Sequence, residues 1–156
     1  MPLAPHTLEI SRFIAAPPAM VWQAWTTPSL LAQWWIPAPL QCRVVTLDLR
    51  PGGGFVTQMR EAGAEFTPHV DGCFLDVVEN QRLVFTTALL AGWQPCDPWL
   101  AITATMTFQA EANGTRYTAT ALHKSAEEAT KHDDLGFQDG WGAAIDQLAA
   151  LLARQA

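Results

Sequence analysis

A histidine and a carboxylate lie two positions apart in the segment His69-Val70-Asp71, within a stretch that reads as a β-strand. Alternate residues of a strand share one face, so this spacing places His69 beside Asp71, with Cys73 next in the same row. A histidine oriented by a carboxylate can act as a general base, and the added thiol would make a partial metal site. The same row is also typical of the solvated face of a strand, so both interpretations stay open.

The sequence contains none of the standard catalytic or metal-binding motifs, such as HExxH, paired CxxC or GxSxG. His69 and Asp71 are therefore the only catalytic candidates. We expect no metal ion and no cofactor, and the sequence favours a protein without catalysis of its own.

Aromatic and sulfur-containing side chains are a second feature that could serve a ligand, since the chain has seven tryptophans and seven phenylalanines. Together they could line a chamber suited to a flat hydrophobic or aromatic molecule. The predicted lining is Trp35, Phe55, Met59, Phe74, Phe85, Trp93, Trp99, Met106, Phe137 and Trp141. The alternative is a dry, fully packed core. Trp93 and Trp99 fall in the predicted loop 91–99, where they would either cover the core or line the ligand site.

The C-terminal segment 125–156 is the element that must close such a chamber. Ser125 and Glu128 form a capping box, and apolar residues then recur every three or four positions: Phe137, Trp141, Ile145, Leu148 and Leu152. The pattern predicts one helix of about 29 residues, roughly 43 Å long. Gly136, Gly140 and Gly142 each cost such a helix about 1 kcal/mol relative to alanine. They indicate either space for a ligand, or a bend or close backbone approach.

The remainder of the chain predicts a sheet. Residues 7–14 read as a strand, and two short helices follow, with prolines at Pro17-Pro18 and at Pro28 to begin them. Period-two patterns then predict strands over 42–49, 55–59, 66–79, 82–90, 100–111 and 115–122, with Gly72 as a possible bulge. Consecutive strands favour an antiparallel meander. The predicted fold class is α+β, a single domain over 1–156 in which about seven antiparallel strands wrap around the long C-terminal helix.

Composition narrows the possible partners. The net charge is −6 and the pI about 5.0, without a basic stripe, so we expect no nucleic acid partner. No apolar run approaches the roughly 18 residues of a membrane span, and the first seven residues do not resemble a signal peptide. Three widely spaced cysteines are most simply reduced thiols, which predicts a cytoplasmic protein. A homodimer is possible.

Several short motifs occur along the chain in a recognisable order. They are Ala16-Pro17, Val21-Trp22, Thr27-Pro28, Trp34-Trp35-Ile36-Pro37, Arg50-Pro51-Gly52-Gly53, Gly72 with Phe74-Leu75, Arg82-Leu83-Val84-Phe85-Thr86, Gly114-Thr115 and Gly140-Trp141. In this order the chain resembles the SRPBCC superfamily, the START-like helix-grip fold of birch-pollen allergens and polyketide cyclases. Within that superfamily it is most similar to the family named after an activator of the heat-shock-protein ATPase. The resemblance covers nearly the whole chain.

The resemblance implies a cavity that serves tasks from lipid and polyketide binding to hydrolysis, cyclisation and co-chaperone work. We expect a hydrophobic small molecule to bind between the sheet and the C-terminal helix. One alternative is an enzyme of polyketide-cyclase type, with His69 and Asp71 in acid–base roles. Another is a co-chaperone-like activator of a heat-shock ATPase. The larger eukaryotic activators have a second domain, for which this chain has no room, so a chaperone partner is not expected.

Overall fold

The structure is a computed structural model that describes residues 6–155. In chain order the elements are β1 (Thr7–Ile14), α1 (Pro18–Thr26), α2 (Pro28–Leu31), β2 (Gln41–Leu47), β3 (Gly54–Arg60), β4 (Thr67–Val78), β5 (Arg82–Thr86), β6 (Leu89–Leu90), β7 (Gln94–Pro95), β8 (Thr103–Glu111), β9 (Gly114–Leu122), α3 (Ala126–Asp134) and α4 (Phe137–Gln155). Most of the N-terminal stretch considered as a signal peptide, residues 1–5, lies outside the described residues, as does residue 156 of the predicted helix.

Seven strands form one antiparallel sheet in the order β1-β9-β8-β5-β4-β3-β2. Strands β2 to β5, β8 and β9 thus follow one another as a meander, and β1 adds to its far edge. The short β6 and β7 pair with each other in the connection between β5 and β8. The predicted α+β helix-grip fold, with seven antiparallel strands and two short helices after the first, is confirmed.

Two strand boundaries differ from the prediction near Thr87. The strand predicted over 82–90 ends at Thr86, and the one predicted over 100–111 begins at Thr103. The Thr87 hydroxyl accepts a hydrogen bond from the Ile102 amide and donates one to the Leu100 carbonyl, both at 3.0 Å. This side chain satisfies backbone groups that would otherwise continue the ladder, a competition that threonine commonly offers.

The predicted single C-terminal helix is wrong, because the structure breaks it into α3 and α4. Ser125 caps α3 as expected, accepting a hydrogen bond from the Glu128 amide at 3.1 Å. Helix α3 ends at Asp134, and Gly136 follows with a φ of +95°, a left-handed conformation that glycine adopts without strain. Helix α4 keeps 19 residues, about 28 Å at 1.5 Å per residue.

The possible bulge at Gly72 is also corrected. The register of β4 shifts on either side of this residue, between Pro68 and Val70 and between Phe74 and Asp76, while Gly72 itself pairs with Phe55. A Cβ atom at position 72 would lie 2.1 Å from the carbonyl oxygen of Thr86. Glycine is therefore required because β5 approaches the backbone closely.

The core lies between one face of the sheet and the helices α1, α2 and α4. Large side chains from both layers are fully buried there; among them are Trp25, Leu31, Phe55, Phe74, Leu83, Phe85, Met106, Tyr117, Leu148 and Leu152. Burial of this apolar surface stabilises the fold and fixes α4 against the sheet.

Candidate functional site

A cavity of about 580 Å³ lies between the sheet and the N-terminal part of α4. Strands β3, β4 and β5 contribute one wall, and the loop after α2 and helix α4 contribute others. The ring- and sulfur-bearing side chains that were predicted to line a chamber and do line this cavity are Trp35, Met59, Phe85, Trp99, Phe137 and Trp141. Their role in binding stays a prediction.

The other four predicted lining residues lie elsewhere. Phe55, Phe74 and Met106 are fully buried in the core behind the cavity wall. Trp93 packs over the turn at Gly52, where an added Cβ would lie 2.8 Å from its indole ring. Sequence periodicity assigns these residues to the inward face of the sheet or to a loop, but it does not separate the wall of a cavity from the layer behind it.

Trp35 forms the aromatic back wall of the cavity. Its ring centroid lies 4.9 Å from that of Trp25, 5.7 Å from Phe55 and 5.7 Å from Trp141. The neighbouring indoles are hydrogen-bonded, from Trp25 to the Tyr117 hydroxyl at 2.9 Å and from Trp34 to a backbone carbonyl. Trp35 Nε1, by contrast, has no partner among the described residues. Such a buried donor typically costs about 1–3 kcal/mol.

The three glycines near the start of α4 have three different roles. Gly136 ends the preceding helix through its positive φ. Gly140 lines the cavity, and an added Cβ there would have no atom within 4 Å. Gly142 instead faces β1, where a Cβ would lie at ordinary van der Waals distance, 3.4 Å from Arg12 Nη2 and 3.6 Å from Ile10 Cδ1. Of the alternatives left open by the sequence, the bend thus applies to Gly136 and the space to Gly140.

His69 and Asp71 both line the cavity, but the predicted pairing between them is absent. His69 Nδ1 is hydrogen-bonded to the Thr57 hydroxyl at 3.0 Å. The register shift between Pro68 and Val70 interrupts the alternation on which the shared row depended, and Asp71 pairs with Val56. His69 is open to the cavity, but the surrounding walls desolvate it and lower its pKa to about 4.

A second histidine, His132, lines the opposite side of the cavity and was not among the predicted site residues. Its Nδ1 lies 2.8 Å from His123 Nε2, and His123 Nδ1 lies 2.8 Å from the carbonyl oxygen of His6. Burial lowers the pKa of His132 to about 4; the nearby His123 lowers it further and Asp133 opposes the shift. The sequence places His123 after a strand and His132 in a helix, so only the tertiary structure shows this pair.

The mouth of the cavity lies between the loop that precedes β8 and the junction of α3 with α4. Trp99 and Leu135 line the cavity and remain 70% and 58% exposed. Lys131 Nζ donates a hydrogen bond to the Trp99 carbonyl at 2.9 Å and lies 4.1 Å from the centroid of its ring. Of the two open interpretations of Trp99, the structure fits a residue at the entrance rather than a cover over the core.

The described residues contain no cluster of three or more histidine, cysteine, aspartate or glutamate side chains that could hold a metal ion. Cys42, Cys73 and Cys96 are free thiols, and burial raises the pKa of Cys42 to about 11. No helix in the described part of the chain is long and apolar enough to span a membrane.

The seven-stranded sheet closed by a C-terminal helix, with an aromatic cavity between them, defines a START-like helix-grip protein. The family model described as "Activator of Hsp90 ATPase homolog 1-like protein" matches residues 15–153, and the chain belongs to this family. The predicted family is thereby confirmed.

Solved structures show the same fold. Protein NE0264 from Nitrosomonas europaea is 39% identical, with a TM-score of 0.86 over 96% of this chain and 95% of that one. Protein Ms6760 from Mycobacterium smegmatis is 31% identical, with a TM-score of 0.78 over 94% of this chain and 90% of that one. A protein from Rhodobacter sphaeroides shares the fold at 18% identity and a TM-score of 0.83, over 100% of this chain and 98% of that one. No functionally curated protein matches the chain in sequence.

Proposed function

We propose that the protein binds a hydrophobic, aromatic small molecule in the cavity between the sheet and α4. The observation that carries this proposal is the pairing of an aromatic wall, formed by Trp35, Phe137 and Trp141, with open space above Gly140. A volume of about 580 Å³ lies within the range of small-molecule sites. The family's START-like fold supports the same proposal.

Gly140 supplies the sharpest test of this proposal. Gly140→Leu would project a side chain into the cavity, because a Cβ at this position meets no atom within 4 Å. Ala153→Leu is the matched control, since it lengthens the side chain at an exposed position of the same helix. The probe is N-phenyl-1-naphthylamine, a neutral aromatic dye whose fluorescence rises when it leaves water.

We expect the wild type and Ala153→Leu to bind the dye with the same affinity, and Gly140→Leu to bind it at least tenfold more weakly. Near-ultraviolet circular dichroism of the three proteins verifies that all are folded. Equal binding by Gly140→Leu and the wild type would contradict the proposal, because the dye would then occupy another surface. Native mass spectrometry of the protein purified from its host would reveal the mass of a co-purified ligand.

A second candidate function is acid–base catalysis by His69 on a molecule in the same cavity. It is favoured by the position of His69, which lines the cavity with a ring that is neutral near pH 7 because its pKa is lowered to about 4. The predicted role of Asp71 as its orienting acid falls instead to Thr57, which holds Nδ1. Under this candidate His69→Ala abolishes turnover of a bound substrate and preserves its binding; loss of binding alone would contradict it.

A further inference from the structure

The two histidines in the cavity differ in whether their hydrogen bonds determine which ring nitrogen carries the proton. His69 is bound to a threonine hydroxyl, which can either donate or accept, so this contact leaves the ring tautomer open. His132 is bound to His123, which is bound in turn to the backbone carbonyl of His6. A carbonyl oxygen only accepts, so His123 Nδ1 must carry a proton and donate it.

The remaining proton positions follow when both rings are neutral. A neutral His123 that is protonated at Nδ1 has a lone pair at Nε2, and His132 Nδ1 must then donate to it across the 2.8 Å contact. His132 is left with an unprotonated Nε2. That nitrogen has no hydrogen-bond partner among the described residues, and it is not among their buried, unpartnered atoms, so it remains accessible.

The His132 ring lies beside an aromatic wall of the cavity. The His132 ring meets the Phe137 ring edge-on at a centroid distance of 5.1 Å, and Phe137 lies 5.5 Å from Trp141. All three residues line the cavity. Gly136 and Gly140 also line it, and a Cβ added at either would meet no atom within 4 Å.

We propose that His132 Nε2 is a fixed hydrogen-bond acceptor for the ligand, so that the cavity selects aromatic molecules bearing a hydroxyl or N–H donor, such as phenols. This inference rests on the proposed binding function and makes it more specific. His123 and the His6 carbonyl act as positioning groups, because they hold the proton of His132 on Nδ1. A ligand that lacks a donor leaves the accessible nitrogen unpaired once water is displaced, and it is disfavoured accordingly.

The test compares 2-naphthol with 2-methoxynaphthalene, two probes that share the ring system and differ in the donor. Isothermal titration calorimetry measures both against the wild type, His132→Phe and the control Asp134→Phe, which adds the same ring at an exposed position of α3 outside the cavity lining. We expect the wild type and Asp134→Phe to prefer 2-naphthol about tenfold, the value of one hydrogen bond near 1.4 kcal/mol. In His132→Phe we expect the two affinities to agree within about twofold.

Each other outcome has a defined meaning. If both probes bind the wild type equally, the inference is overturned while the proposed binding function stands. If neither probe binds and N-phenyl-1-naphthylamine does not bind either, the inference and the proposed binding function both fail. A preference that persists in His132→Phe assigns the acceptor to another group and overturns the inference.

A measurement without ligand or substitution keeps the inference testable should His132→Phe not fold. Long-range ¹H–¹⁵N correlation spectra of the ¹⁵N-labelled wild type at pH 7.5 distinguish protonated from unprotonated ring nitrogens. We expect His123 and His132 both to carry the proton on Nδ1. A proton on His132 Nε2 would overturn the inference.

Discussion

Both ends of α4 face the same sheet, but the space between helix and sheet is filled at one end and open at the other. Near residues 148–152, Leu148, Leu151 and Leu152 are buried and fill the interval between helix and sheet. Near residues 136–141, glycines at 136 and 140 leave the interval open, and a cavity of about 580 Å³ occupies it. The difference shows that side-chain volume along one helix contributes to whether the space against the sheet is a packed core or a cavity.

Removal of side-chain volume at the filled end should give the largest effect. Leu148→Ala should lower the free energy of unfolding by about 2–5 kcal/mol, because it removes packed atoms and leaves a new void. Urea denaturation monitored by circular dichroism measures the loss. The same substitution at the exposed Leu135 should change the free energy of unfolding by only about 0.5 kcal/mol. Equal losses at both positions would remove the distinction between the two ends.

Low pH should destabilise the protein through the two histidines that line the cavity. An unfolded histidine titrates near pH 6.5, whereas the pKa of His69 and that of His132 lie at about 4 in the fold. The unfolded state therefore binds more protons between these values, and stability falls as the pH falls from about 6.5 to about 4.

Because water in the cavity reaches both rings, the combined loss should be on the order of 1–2 kcal/mol, less than the full shifts would give. Denaturation midpoints at several pH values measure it. The double variant His69→Gln/His132→Gln should show a shallower dependence over the same range. If the stability of the double variant depended on pH as strongly as that of the wild type, other groups would be responsible for the acid sensitivity.

Addition of volume at the open end should stabilise rather than destabilise. Gly140→Ala meets no neighbouring atom and improves helix propensity, so the free energy of unfolding should rise by about 1 kcal/mol. Gly142→Ala should gain a similar amount, because its Cβ would lie at ordinary van der Waals distance from Arg12 Nη2. Thermal denaturation compares the two, and a loss of stability in Gly140→Ala would mean that the space there is not free.

Removal of the contact between Lys131 and Trp99 at the mouth of the cavity should give the smallest change in the free energy of unfolding. Lys131→Met removes the ammonium above the Trp99 ring, a contact worth about 0.5–1 kcal/mol at an exposed site. We expect N-phenyl-1-naphthylamine to dissociate a few-fold faster in stopped-flow measurements. Lys124→Met is the matched control, because Lys124 and Lys131 both lie near Glu128 and only Lys131 contacts Trp99. The same acceleration in both variants would contradict a specific role for Lys131.

Local patterns were sufficient to predict the fold but only part of the site. Alternation, proline-started helices and the Ser125 cap are short-range signals, and the structure has the elements they indicate. The helix break at Gly136 was missed because the Ser125 cap was joined directly to the apolar stripe that begins at Phe137, although a glycine is also the usual residue at a helix end.

The parts of the site that could not be predicted depend on contacts between distant residues. The partner of His69 is Thr57, on a neighbouring strand, and a register shift at this point changed the neighbours that alternation assigns. The pair of His123 and His132 joins the end of a strand to a helix that begins after it. Phe55 and Phe74 lie on the same inward face of the strands as cavity-lining residues, but they are buried deeper in the core.

The tryptophans described in the cavity wall also give the protein an optical property. Trp34, Trp25, Trp35 and Trp141 form one contact chain with successive ring centroids 5.7, 4.9 and 5.7 Å apart. At such separations excitation energy migrates between indoles, so light absorbed by one of the four can be emitted or quenched at another. Trp34, Trp35 and Trp141 also line the cavity, whereas Trp25 does not. An absorbing molecule that enters should therefore quench emission from all four tryptophans, including Trp25, which lies outside the cavity lining.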